Sequence, residues 1–432
     1  MKILLLCNYD PYNAATVCDH INAFPFYSAH DVVVHSDLVR SGGNLEDDFP
    51  LEDFDAVILH YSLFLAVDAY VSQGTRKRLN NYRGVKAIFL QDEYRFVNAS
   101  VKRIAEVGFD IIFTCVPPSA IERVYPASLL PGVERVNVLT GYVPEALLNY
   151  KPKQLAEREI DVSYRGRKYP EWHGRLGQEK WGIAKRFRED ARRYKLRCDI
   201  SYREKDRLYG INWVKLLQNS KAVLGVESGA SIFDYTGEIS AKVETVVALL
   251  GKQAKYEDLR SDYLAEVEDS VPLAQISPRI FEAIALRTLC ILYEGEYSGI
   301  LIPWRHYVPL KKDHSNMDEV VMVLRDHVRV AKIVADAYAE VACNSELSYR
   351  AFIGRVDSIL EHRVQMVGLN QANKLSAEAI QRMNPVLLIH DPHGLLLPLS
   401  RQLWMHYLKP ILVRYTPHHI KQLLKRLFGR LH

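Results

Sequence analysis

Ser277-Pro278-Arg279-Ile280-Phe281-Glu282-Ala283-Ile284-Ala285 runs on to Thr288-Leu289-Cys290-Ile291-Leu292-Tyr293-Glu294-Gly295, and the pair reads as a helix feeding a buried strand. Ser277 suits the N-cap, Pro278 suits the first turn, and Glu282 follows about one turn later. A helix N-terminus offers unpaired N–H groups and a partial positive charge, both of which favour a phosphate. A carboxylate one turn in can accept hydrogen bonds from the vicinal hydroxyls of a sugar. The stretch therefore holds the parts for a nucleotide ribose and its diphosphate, with Ser277, Arg279 and Glu282 as candidate contacts. The same residues also describe an ordinary amphipathic helix in which Arg279 and Glu282 form an i,i+3 surface pair. The rest of the chain decides between the two.

Working outward, short apolar runs alternate with helix-length segments. In the first third the runs lie at 2–7, 31–35, 55–60, 85–90, 110–115 and 135–139, with helical segments at 66–81 and 99–107. Near-continuous apolar strands separated by helices imply a parallel sheet covered on both faces. Residues 1–150 are thus expected to form one doubly wound α/β domain. The polar stretch 145–158, flanked by Pro144 and containing Pro152, reads as a linker. A second alternation follows, with strands at 160–164, 196–201, 222–226, 289–293 and 306–310 and helices near 177–192 and 211–219. Residues 239–269 look like an inserted helical piece, and 317–364 are helical. The expectation is two tandem Rossmann-like domains, 1–150 and 151–365, facing each other across a cleft. Residues 366–432 have no place in the alternation and form a C-terminal extension. Open parallel sheets bind ligands at the carboxyl ends of their strands, so such a cleft holds one substrate on each side.

The chain has 432 residues, enough for two or three cores, and its 48% hydrophobic and 25% charged content is that of a globular protein. Its net charge is +4, but seven of the 56 basic residues lie past residue 400, where there is no Asp or Glu. The remaining 49 basic residues face 52 acidic ones, so the body is near neutral. A nucleic-acid-binding body wants a basic face, so no nucleic-acid partner is expected. The six cysteines, Cys7, Cys18, Cys115, Cys198, Cys290 and Cys343, show no CxxC or Cys/His zinc spacing and read as core thiols. The opening apolar stretch is short for a signal peptide, and no run approaches a membrane span. A cytoplasmic protein is expected.

Other strand ends carry chemistry. Glu227-Ser228-Gly229-Ala230-Ser231 follows the strand at 222–226, and small residues there let backbone approach a ligand closely. Tyr297-Ser298-Gly299 is the same kind of turn after the next strand. In the first domain Asp92 and Glu93 end one strand and His60 ends another, while Asp10, Asn13 and Thr16 lie in the first loop. A carboxylate or imidazole there faces an acceptor hydroxyl and can take its proton, in the order Glu93, Asp92, His60. Asp92 and Glu93 equally suit a helix N-terminus, and His60 suits a core histidine. Asp53-Phe54-Asp55 precedes its strand, where a ligand site should follow one, so no metal site is expected.

Asp161-Val162-Ser163-Tyr164-Arg165-Gly166-Arg167 opens the second domain with a strand that runs into Gly-Arg. Together with the Ser277 to Ala285 helix and the Tyr297-Ser298-Gly299 loop, it resembles the GT-B glycosyltransferases, nearest to the group-1-like, spore-maturation-type members. The resemblance covers about residues 1–360. It implies that Arg167, with Lys180 as the lysine that follows, neutralises a leaving diphosphate. It also implies that Gly229, Ser277, Arg279, Glu282, Ser298 and Gly299 surround a nucleotide-diphosphate sugar. The donor is then a co-substrate, no separate cofactor or metal is required, and the acceptor is a glycan or a lipid-linked sugar. Retaining members carry a second glutamate eight residues before the position of Glu282, which here is Ala274. The same layout also serves sugar-nucleotide epimerases and catalytically silent binding modules.

The tail mixes Ile420, Leu423, Leu424, Leu427 and Phe428 with Lys421, Lys425, Arg426 and Arg430. The spacing gives one apolar face flanked by basic residues, as in a helix lying on an anionic membrane surface. The alternative is a helix that docks on the body or on a second subunit.

Overall fold

The computed structural model describes residues 1–10 and 14–368. Asn13, and the extension from residue 369 with its basic stretch 401–432, lie outside the described residues.

Six parallel strands build the first sheet: β1 (Lys2–Leu6), β2 (Asp31–His35), β3 (Ala56–Leu59), β4 (Val85–Leu90), β5 (Ile111–Thr114) and β6 (Glu134–Asn137), in the order β2-β1-β3-β4-β5-β6. Alternation along β1 shows why it sits centrally. Leu4 and Leu6 enter one core, Ile3 and Leu5 the other, and all four are buried. The intervening helices are α1 (Ala15–Tyr27), α2 (Gln73–Asn81), α3 (Val97–Val107), α4 (Pro118–Val124) and the short α5 (Glu145–Leu148). The helix expected over 66–81 is shorter, because Ser72 caps it at Thr75 N and the preceding residues form turns.

The second sheet has five parallel strands: β7 (Ile160–Arg165), β8 (Cys198–Ser201), β9 (Ser220–Gly225), β10 (Leu289–Tyr293) and β11 (Val308–Leu310), ordered β11-β10-β9-β7-β8. The helices that follow residue 150 are α6 (Gly174–Arg193), α7 (Ile211–Asn219), α8 (Glu238–Leu250), α9 (Tyr256–Leu259), α10 (Pro278–Ala285), α11 (Met317–Arg325), α12 (His327–Ala337) and α13 (Tyr349–Val367). Ala222 and Leu224 of β9 face α6 and α11, while Val223 faces α7 and α10.

Two segments pack with the first domain although they follow the linker. Helix α13 places Tyr349, Phe352, Ile353 and Val356 in the same core as Ile3 and Phe89. The division at residue 365 assigns this helix to the second domain; its apolar face assigns it to the first. The inserted piece, with the stretch just before it, likewise buries Ile232, Phe233, Val243 and Leu264 in the same core as the first sheet. Backbone pairing fixes that contact, because Asp234 N donates to Tyr94 O at 2.8 Å and Phe96 N to Asp234 O at 2.9 Å. The Asp234 carboxylate, fully buried, then receives Gly237 N and Ser240 N at 2.8 Å each and so starts α8.

Candidate active site

A cavity of about 200 Å³ opens at the carboxyl ends of β7 and β9, against the N-terminus of α10. Its floor is apolar, with Val223, Leu224, Val226, Ile280 and Leu292. Its rim is cationic, with Arg167, Lys180, Arg207 and Arg279. This is where a parallel sheet is expected to hold a ligand.

The local sequence explains the shape. Gly166 ends β7 where a Cβ would meet the Tyr164 ring at 2.6 Å and Lys180 O at 2.9 Å, so α6 can lie close. Gly229 follows β9 with φ +101°, and a Cβ there would sit 1.7 Å from Leu273 O. Gly229 O accepts a hydrogen bond from Lys180 Nζ at 3.0 Å. Gly229 therefore acts by aiming Lys180; it does not itself line the cavity.

The cations divide into two groups. Arg165 pairs with Asp199, Lys168 with Glu171, Arg175 with Glu179 and Arg207 with Glu204, at 2.7–2.9 Å. Arg167 and Lys180 have no carboxylate within ion-pair distance among the described residues. Both instead lie over the Tyr169 ring, at 4.6 and 4.3 Å from its centroid. Burial works to raise the Tyr169 phenol, but Lys180 and Arg167 outweigh it and bring it below its ordinary value. His173 behind them, stacked on Trp172, is pulled down to about 3 by burial and then by the same two cations. Both groups thus lie in the field of Lys180 and Arg167, with burial the larger cause for His173.

At α10 the Ser277 hydroxyl makes no capping bond; it lines the cavity. That corrects the N-cap expectation for its side chain. Arg279 lines the cavity, donates to Arg165 O at 2.6 Å and stacks over Trp213 at 5.0 Å. Glu282 is 2% exposed and does not line the cavity; its Oε2 accepts from Trp213 Nε1 at 2.7 Å. Trp213 does line it, so Glu282 reaches the cavity through the indole. Ser298 and Gly299 are also set back. The Ser298 hydroxyl donates to Gln275 Oε1 at 3.2 Å and accepts from Ile276 N at 3.1 Å, which fixes the approach to α10. Gly299 N closes the same turn on Glu296 O. Glu227, at the cavity, receives Glu296 N and Tyr297 N at 3.0 and 2.8 Å and anchors that turn, and burial raises its carboxyl.

On the first-domain side the three candidates separate. His60 is fully buried; its Nδ1 accepts from Ser62 N at 3.0 Å, which leaves Nε2 to donate to His20 Nδ1 at 3.0 Å. Burial drives the His60 imidazole well below its usual range, so it is a neutral core histidine with no nitrogen free for an acceptor. Glu93 is enclosed. Oε1 accepts from Cys115 N at 2.8 Å, and Oε2 accepts from Thr114 Oγ1 at 2.7 Å and from the Tyr125 hydroxyl. Burial outweighs these bonds and raises its carboxyl to about 7. Asp92, next to it, is exposed at φ 55°, and its charge acts on both Tyr94 and Tyr169. It is the carboxylate that faces the second domain. Sequence reasoning missed Tyr169, Trp213 and Arg207. Only Tyr169 had a signal, an aromatic following Gly166-Arg167-Lys168.

No protein-family model and no curated protein matches the chain. Solved structures do. An alpha-glucosyltransferase in complex with UDP and a 13-mer DNA matches with TM-score 0.53 and 10% identity, over 83% of this chain and 99% of that one. The alpha-glucosyltransferase with UDP-glucose and DNA containing an abasic site matches with TM-score 0.50 and 10% identity, over 85% and 100%. Anabaena HepE in complex with UDP is a looser match, with TM-score 0.45 and 11% identity over 84% and 100%, and carries no weight here. At such identities the likeness concerns the fold: the chain has the GT-B arrangement of two parallel α/β domains.

Proposed function

We propose that the protein is a glycosyltransferase that moves a sugar from a nucleotide-diphosphate donor, held by the second domain, to an acceptor hydroxyl presented by the first. The observation that carries this reading is the cavity at the strand ends with two cations, Arg167 and Lys180, that have no carboxylate within ion-pair distance among the described residues. Arg167 is exposed and Lys180 half-buried at the cavity mouth, so both remain available to an anion that enters it. A diphosphate supplies the anion, and charge stabilisation of a departing diphosphate is what the transfer most needs. The structures that share the fold hold UDP or UDP-glucose, which fits a donor of this class.

The apolar floor takes the base, and the α10 N-terminus with Ser277 and Arg279 takes phosphate oxygens. Arg167 and Lys180 meet the charge that develops as the glycosidic bond breaks. Across the cleft Asp92 receives the acceptor's proton if the transfer inverts the anomeric centre, and orients the acceptor if it retains. Glu93 holds the Asp92 turn through its three donors. Within the fold, the likeness of the Ser-x-Arg-x-Phe-Glu stretch to the group-1-like transferases supports a reading as one of them. A near-neutral body favours a glycan or lipid-linked acceptor over a nucleic acid, even though the matching structures hold DNA.

The test is a panel of nucleotide sugars with and without glycan acceptors, read as free nucleoside diphosphate. Acceptor-dependent release supports transfer. Donor rearrangement without an acceptor makes the protein an epimerase, and binding without turnover makes it a silent module.

A further inference from the structure

We infer that Tyr169 is a positioning residue for the donor diphosphate, its ring holding Arg167 and Lys180 together at the cavity mouth before the ligand arrives. This rests on the donor reading above and adds a role for a residue outside the phosphate contacts. Two like charges on separate elements, one in the loop after β7 and one inside α6, repel each other; Gly229 O holds Lys180 from one side, and the ring is the contact that Lys180 and Arg167 share. The Tyr169 ring faces both, at 4.6 Å from Arg167 and 4.3 Å from Lys180. An aromatic face attracts cations by its quadrupole, and the attraction grows where water is excluded. The ring is half-buried, held edge-on by His173 at 4.9 Å, so it cannot swing away with the cations.

The arrangement is a pre-paid orientation. A neutral ring holds the cations more weakly than a carboxylate would, so an arriving diphosphate takes them without breaking an ion pair. The neighbouring cations show the contrast, since Arg165, Lys168, Arg175 and Arg207 are each committed to a carboxylate. Tyr169 also lies within the field of Asp92 from the first domain, so it stands where the two halves of the cleft meet.

The experiment is a double-mutant cycle read by calorimetry, using whichever of UDP, GDP, ADP and dTDP the native chain binds most tightly. Tyr169→Phe keeps the ring but loses the hydroxyl's hydrogen bond with Arg167 and is expected to weaken binding by about threefold, whereas Tyr169→Leu, which loses the ring as well, is expected to weaken it by about tenfold. Lys180→Met alone should also weaken binding, and in the Tyr169→Leu background it should add little, because the two residues act as a unit. Melting temperatures of the Phe and Leu variants are compared so that general loss of structure is not read as loss of affinity. Native affinity in Tyr169→Leu, or fully additive losses in the double variant, overturns the role of Tyr169. Arg167→Gln separates the two claims. If it weakens binding while Tyr169→Leu does not, only the Tyr169 role falls. If the native chain binds none of the four, or Arg167→Gln binds as native, the donor reading falls with it.

Discussion

The buried Glu282 carboxylate holds the Trp213 indole by a 2.7 Å hydrogen bond, and Arg279 lies over the same ring at 5.0 Å. A residue with the sequence position of a ligand contact thus works one layer behind the cavity. It orients the indole that lines the wall and, through it, the arginine at the α10 N-terminus.

Glu282→Ala strands the indole N–H in a buried site, which costs about 1–3 kcal/mol of stability. The loosened Trp213 and Arg279 should weaken nucleoside-diphosphate binding by about tenfold. Glu282→Gln keeps an acceptor and should recover most of both. Calorimetry and thermal unfolding check this together, and unchanged affinity in Glu282→Ala would remove the link.

Glu93 carries a pH signature. Its carboxyl is raised from 4.5 to about 7 by burial, so the folded chain binds its proton more tightly than the unfolded chain. The stabilisation from that proton is complete below pH 4.5 and fades as pH rises through 7. Native stability measured by urea unfolding should therefore fall across this window relative to Glu93→Gln, which has no such proton to lose. The change is at most about 3 kcal/mol, from about 1.4 kcal/mol per pKa unit. A native-to-variant difference that is flat from pH 4.5 to 7.5 would contradict the assignment.

Arg167, Lys180 and Arg279 line one cavity, where the proposed reading has the diphosphate depart. Turnover is therefore expected to survive EDTA. Activity abolished by EDTA and restored by manganese would show that the three cations do not suffice.

The basic stretch 401–432 lies outside the described residues, and we propose from its sequence that it binds anionic lipid. Each basic residue near such a surface is worth about 1 kcal/mol. Full-length protein should sediment with anionic vesicles and be released by salt, while a chain ending at Ser400 should stay in solution. Equal behaviour would leave the tail a role in protein packing.

Much of the fold was legible because its strands are buried on both faces. Ile3 to Leu6 and Leu289 to Tyr293 read as unbroken apolar runs of strand length. The edges blurred. β6 has exposed Glu134 and Asn137, and the apolar run marking it sits one residue late. The packing partner of a helix is not written in its periodicity. Helix α13 and the piece around Phe233 both show an apolar face, and nothing local says which sheet receives it. Gly166, Arg167, Ser277 and Arg279 line the cavity, and their places at a strand end and a helix start are legible in the sequence. Glu93 and His60 had the right position, but their burial depends on Tyr125, Thr114 and His20, which are distant in sequence.

The most direct measurement is a crystal structure of the chain soaked with UDP or GDP. The account predicts the diphosphate between the α10 N-terminus and the Arg167–Lys180 pair, with both cations drawn from the Tyr169 ring onto its oxygens. It also predicts the base over Val223 and Leu292. A diphosphate bound elsewhere, or one that leaves Arg167 and Lys180 on the ring, would contradict it.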